Sequence, residues 1–232
     1  MEFNEYIRQG GTFWQEGKID QALESFETAL KLQPNNTGLQ QAIEGMKKDA
    51  VKIREFHQKM AEACVDEAKS RAKVMEDLYG VKLEEITDVH KIIAEYSKEP
   101  KCSHASAKNI LAMAYYISGL LHESRREHYE AVKAFSEAIN NEPNYPLAYK
   151  NRGSANLAIG KIENCNQAIE DFKKANLDEV KLNRFLADAY WKRAIAYEQK
   201  GDKAHVIEDC ERILELNPDD GDARKLLNMA KA

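Results

Sequence analysis

Cysteine and histidine stand close together once in this chain, at Cys102-Ser103-His104, with His122 and His128 following further on. A structural zinc centre needs four converging ligands, usually in two paired clusters. One pair in a loop is too few, so no metal is expected. The four cysteines (Cys64, Cys102, Cys165, Cys210) include no CxxC. Scattered thiols in a chain of this size read as reduced cysteines, not as a disulfide framework. Nucleophilic or phosphate chemistry has no better footing. The sequence holds no glycine-flanked serine elbow, no GxxxxGK[ST] and no GxGxxG. Acidic residues alternate with lysines, as on solvated helix faces. His57, in register with an apolar seam, reads either as a pH-responsive group or as a half-buried histidine at a helix edge. Neither a catalytic set nor a cofactor site emerges, and the expectation is a protein that is not an enzyme.

The elements that would position these residues come from repetition. Gly10, Ala22, Phe26, Ala29 and Pro34 recur at Gly119, Ala131, Phe135, Ala138 and Pro143, each displaced by 109 residues. Glycine and alanine let two helices approach, phenylalanine fills the space beside them, and proline ends the second helix. A displacement of 34 leads from Gly119 to Gly153 and from Tyr115 to Tyr149. The second half of that unit reads Ala168, Phe172 and Ala175, which predicts a turn about three residues longer than usual. Cys165 would lie in that turn and be exposed. Another unit runs Tyr190, Ala194, Tyr197, Gly201, Val206, Cys210, Ile213 and Pro218, with Cys210 at a core position.

This period and pattern resemble the tetratricopeptide repeat family. Four repeats are assigned, at 3–36, 112–145, 146–186 and 187–220. The resemblance implies an all-α fold, a tetratricopeptide-like helical-repeat solenoid. Residues 37–102 do not match the pattern and read as a long helical insertion or hairpin. Residues 103–220 then carry three consecutive repeats, and 221–232 would form a C-terminal capping helix, since a repeat array needs a polar-faced end.

In this family the second, fifth, ninth and twelfth positions of each first helix line a concave groove. Here they are Asn4, Ile7 and Trp14 in repeat one and Met113, Tyr116, Leu120 and Glu123 in repeat two. Repeat three supplies Leu147, Lys150, Asn151 and Ser154, and repeat four Asp188, Trp191, Ile195 and Glu198, with Lys192 beside them. Tyr116, Leu120, Trp191 and Ile195 are expected as surplus apolar groups there, and such patches mark interaction sites. One branch of the family grips the terminal carboxylate of chaperone tails with two lysines, two asparagines and an arginine. Its slots hold Tyr116, Leu120, Asn151, Asp188 and Lys192 here. Asp188 would repel a carboxylate and Lys192 lacks the bidentate fork of arginine, so the clamp is not formed.

Between the first two repeats, 37–79 contains no proline and carries apolar residues at Leu39, Ile43, Met46, Ala50, Ile53, Met60, Cys64, Ala68, Ala72, Met75 and Leu78. That spacing predicts a single long helix with a heptad-like seam. Its apolar stripe should pack on repeat one and on the first helix of repeat two. A shorter helix follows, marked by Leu83, Ile86, Val89, Ile93 and Tyr96.

The 232 residues are 43% hydrophobic and 31% charged, with a net charge of −5 that argues against nucleic acid. The opening MEFNEYIRQG is polar, and no run approaches a membrane span; the expected location is the cytoplasm. The function expected is a protein-interaction scaffold that holds a protein or peptide segment with aromatic or aliphatic anchors in the groove. The alternative is a homodimer formed through the long helix 37–79.

Overall fold

The computed structural model describes residues 3–15, 18–79, 89–97 and 105–232. All its regular elements are helices: α1 (Phe3–Gln15), α2 (Ile19–Leu32), α3 (Thr37–Tyr79), α4 (Val89–Ser97), α5 (Ala105–Ser124), α6 (His128–Asn141), α7 (Pro146–Ile159), α8 (Ile162–Lys174), α9 (Glu179–Gln199), α10 (Lys203–Leu216) and α11 (Gly221–Lys231). The chain divides into two compact units, 1–60 and 61–232.

In the first unit, α2 stops at Leu32, just ahead of Pro34, which cannot extend the hydrogen-bond ladder. Asn36 then caps α3, its side-chain oxygen accepting from the Leu39 amide at 3.0 Å. The core is Ala22, Phe26 and Ile43, with Ile7, Trp14, Leu39 and Met46 packed against it. The start of α3 therefore covers the first helix pair, as its apolar spacing requires. Further along, Val51 (51%) and Phe56 (60%) are exposed. Both lie off the predicted stripe, whose members in this stretch are covered: Ala50 is buried and Ile53 half-buried. Side chains of His57 and Met60 lie outside the described residues, as do Leu83 and Ile86.

In the second unit, α5 to α11 each pack on their neighbours in the chain, and α4 packs on α5. Pro146 opens α7, where its missing N–H costs nothing. Gly160 closes it at φ +74°, a left-handed conformation that favours glycine. Asp178, Asp202 and Asp220 cap α9, α10 and α11 by accepting backbone N–H bonds.

The interlock of glycine with phenylalanine holds in three repeats. A Cβ placed on Gly10 would lie 2.9 Å from Phe26 and one on Gly153 2.7 Å from Phe172; on Gly119 it would come closer still to Phe135. None of the three sites has room for a methyl group, which is why glycine stands there. The last repeat solves the same problem differently. Ala194 takes the glycine position and Cys210 the phenylalanine position, while Val206 and Ile213 replace two alanines; all four are buried. Bulk removed from one residue is redistributed over three, and cores tolerate such volume-conserving exchanges.

Repeat three corrects the expected long turn. Only Gly160 and Lys161 separate α7 from α8, and Cys165 is buried inside α8, not exposed in a turn. The three additional residues sit within the helix. Three residues make nearly one helical turn, so Phe172 returns to the face that meets Gly153. A second difference is that α9 begins at Glu179, ahead of the expected start of repeat four. This extension packs Leu186 and Phe185 onto α8, with the rings of Phe172 and Phe185 stacked at 4.8 Å.

Candidate functional site: the first-helix face of the second unit

The expected groove residues fall on α5, α7 and α9, but in very different surroundings. Tyr116 is completely buried and Leu120 nearly so. The expectation that both stand free as surplus apolar groups is corrected by what covers them. The C-terminal part of α3 lies over this end of the face. Ala68 and Met75 join Ile110, Ala114, Tyr116, Ile117 and Leu120 in one cluster, together with Val89 and Ile92 of α4. The Tyr116 hydroxyl donates to the Glu67 carboxylate at 2.7 Å and accepts from the Asn151 amide at 2.8 Å. The Arg71 guanidinium lies 6.0 Å from the centre of the Tyr116 ring. Burial pushes the Tyr116 phenol far above its ordinary pKa, with the Glu67 hydrogen bond adding to the shift. Met113 and Leu147 are half-buried against the same cluster.

The α3 residues facing α5 and α7 are thus Cys64, Glu67, Ala68, Arg71, Ala72 and Met75, spaced as one helix face. The Cys64 thiol is held above its usual pKa, first by burial and then by the charges of Glu123 and Glu67, while Lys150 pulls it down. Glu123 also bonds His128 at 2.9 Å. Ser154 donates back to the Lys150 carbonyl within α7.

At the other end, α9 presents Asp188, Lys192 and Glu198 exposed and Trp191 and Ile195 half-buried. Trp191 and Ile195 are not wholly surplus: they pack against Ala194, Val206, Cys210 and Leu226 at the junction with the last helix. In the first unit, Asn4 is exposed, while Ile7 and Trp14 contribute to the core beneath α3.

Two residues that the sequence reading passed over fix the spacing of this face. Arg152 makes a two-pronged bond to the fully buried Asp171, at 2.9 and 2.8 Å, and its remaining prong reaches Ser136 of the preceding repeat at 3.1 Å. Arg193 does the same with Asp209, at 3.0 and 2.6 Å, and with Asn166 of the preceding repeat at 2.6 Å. The planar fork of arginine suits such paired recognition. The signal was present: both arginines directly precede the small residue of the interlock.

Cys102 and His104 lie outside the described residues. Among the described residues, no group of three or more histidine, cysteine or acidic side chains is placed to hold a metal ion. No helix among them is long and apolar enough to cross a membrane.

Helix pairs interlocked by small and large residues and stacked in chain order define a helical-repeat protein. The tetratricopeptide repeat family matches residues 6–36 and 187–220. One of the matched segments lies in each compact unit. Solved structures similar to it include the first tetratricopeptide domain of human RPAP3, at 25% identity over 52% of this chain and 90% of that one, with a TM-score of 0.33. The tetratricopeptide domain of Arabidopsis OM64 is 21% identical over 53% of this chain and 97% of that one, with a TM-score of 0.35. A complex of the TPR2AB domain of yeast Sti1 with pHSP90 is 18% identical over 99% of this chain and 98% of that one, with a TM-score of 0.34. No curated protein matches the chain.

Proposed function

We propose that this protein is a non-catalytic interaction scaffold, working in the cytoplasm, whose first-helix face in the second unit receives a segment of a protein partner. The site comprises Met113, Tyr116, Leu120, Lys150, Asn151, Asp188, Trp191, Lys192 and Ile195. Its accessible part is the α9 end. The observation that carries the reading is that Trp191 and Ile195 keep exposed surface beside the opposite charges of Asp188 and Lys192, while the interlocks that hold the repeats are filled elsewhere. A large amphipathic ring framed by opposite charges suits an interface anchor. The partner segment would bring aromatic or aliphatic side chains to Trp191 and a polar group to Asp188 or Lys192.

The test is capture of partners from the native extract by the full chain, by Trp191→Ala and by Val180→Ser as a control on an 81% exposed residue. Trp191→Ala should weaken capture of one defined partner by more than about 1 kcal/mol, with the control unchanged. Equal capture by all three sinks the groove reading. Self-association through α3 is less well supported, because Ile43, Ala50, Ala68 and Met75 of its seam are already buried within a single chain. Light scattering that shows a mass doubling with concentration would favour it instead.

A further inference from the structure

We infer that residues 64–75 of α3 act as a built-in occupant of the α5–α7 face, holding a seat that an amphipathic helix of a partner takes by displacing them. This rests on the scaffold reading and specifies the ligand of its closed end. The occupant states the chemistry of the seat. A carboxylate (Glu67) accepts from the Tyr116 hydroxyl, which Asn151 orients from the next repeat. A small residue follows it (Ala68), and two turns on a long apolar side chain (Met75) is fully buried. The competing ligand is therefore a helix with the same acid, small and long apolar residues at that spacing.

Three features separate this contact from the permanent core. The centre of the α5–α6 interlock is Phe135, Ala131, Ala138 and Ile139, with the Glu123–His128 pair set apart at the turn between the two helices. The α3 contact is polar at its centre, with Glu67, Arg71 and Asn151 meeting Tyr116; its apolar contribution is two alanines and one methionine. Exchangeable interfaces are more polar than obligate ones. The fit is also imperfect. Arg71 Nε is buried with no hydrogen-bond partner among the described residues, and a buried orphan donor disfavours the docked state. Lifting α3 from the face would return that group to water.

The probe is a fluorescein-labelled synthetic peptide of residues 61–79. A tethered helix acts at an effective concentration on the order of millimolar, so the wild-type full chain should not take up micromolar peptide. The double variant Ala68→Asp, Met75→Glu expels its own helix and should bind the peptide at least about tenfold more tightly than wild type does. A peptide carrying Glu67→Lys should fail to bind it. A second measurement uses wild type alone. Amides of 64–75 should exchange with deuterium faster than those of 131–139, through local release below global unfolding. If the opened variant ignores the peptide, or if 64–75 exchanges only with global unfolding, the segment is a fixed part of the core and the inference falls. Should the double variant not fold, the exchange experiment decides alone. Loss of partner capture in Trp191→Ala reports on α9, so the scaffold reading and this inference fail separately.

Discussion

Tyr116 and Trp191 occupy the same position in their repeats, 75 residues apart, yet one is sealed and the other half open. The sequence around them gives no reason for the difference. Both are amphipathic aromatics on the inner edge of a first helix, followed four residues later by an aliphatic side chain (Leu120, Ile195). What separates them comes from far along the chain: Glu67 and Ala68 cover Tyr116, while Trp191 stays half-buried on the cluster of Ala194, Val206, Cys210 and Leu226. Equivalent positions in a repeat therefore acquire different roles according to what the non-repeating segment covers.

Truncation of the two rings should break this comparison most visibly. Tyr116→Ala removes a fully enclosed ring and should cost roughly 3–5 kcal/mol, matching Phe135→Ala in the core. Trp191→Ala loses only partial packing and should cost about 1–2 kcal/mol. Denaturant unfolding checks both; equal losses would mean that Trp191 is core and that the open end is not open.

Tyr116→Phe sharpens the same contrast by keeping the ring and deleting its hydroxyl. Asn151 and Glu67 each lose a partner inside the contact, and an expected loss of about 1–3 kcal/mol follows from leaving buried polar groups unpaired. A neutral result would show that water replaces the hydroxyl, and so that the seal over Tyr116 leaks.

The smallest effect lies in the thiols. Burial pushes both Cys165 and Cys210 up to about 11. Their pKa lies above the ordinary thiol value of 9.0, so near pH 8 the reactive thiolate should be about a hundredfold scarcer than on an exposed cysteine. Native protein should therefore leave both unreacted with a disulfide reagent until denaturant is added. Trp191→Ala should speed Cys210 alone, since Trp191 packs on that cluster and not on the one around Cys165. Parallel acceleration of both would show that Trp191 shields the whole unit.

Much of the scaffold was legible before any coordinates. Gly10, Gly119 and Gly153 were paired with Phe26, Phe135 and Phe172 from spacing alone, because a close helix crossing leaves few residue choices. The unbroken run of α3 followed from the absence of proline and from its apolar period. The site was less legible. Periodicity assigns Tyr116 to a face but is silent on which distant helix lies over that face. The seam Cys64–Ala68–Met75 predicts that α3 packs on the first helix of repeat two, as it does, without saying that the cover falls on Tyr116. Repeat three misled for a simpler reason. A three-residue shift in sequence reads equally well as a longer loop or a longer helix, and only the position of Cys165 distinguishes them.

The exchange of Gly119 and Phe135 for Ala194 and Cys210 has a further consequence, for how the chain finds its own pairings. In an array of look-alike helix pairs, the first helix of one repeat can approach the second helix of another during folding, and such misassembly is a characteristic failure of repeat proteins. Here α9 joined to α6 would press Ala194 into the ring of Phe135, while α5 joined to α10 would set Gly119 against Cys210 and lose the methyl that Ala194 supplies there. Each wrong match is penalised, one by collision and one by lost contact. The size exchange thus serves as an address, by which the last repeat is told apart from the others while the chain is still assembling.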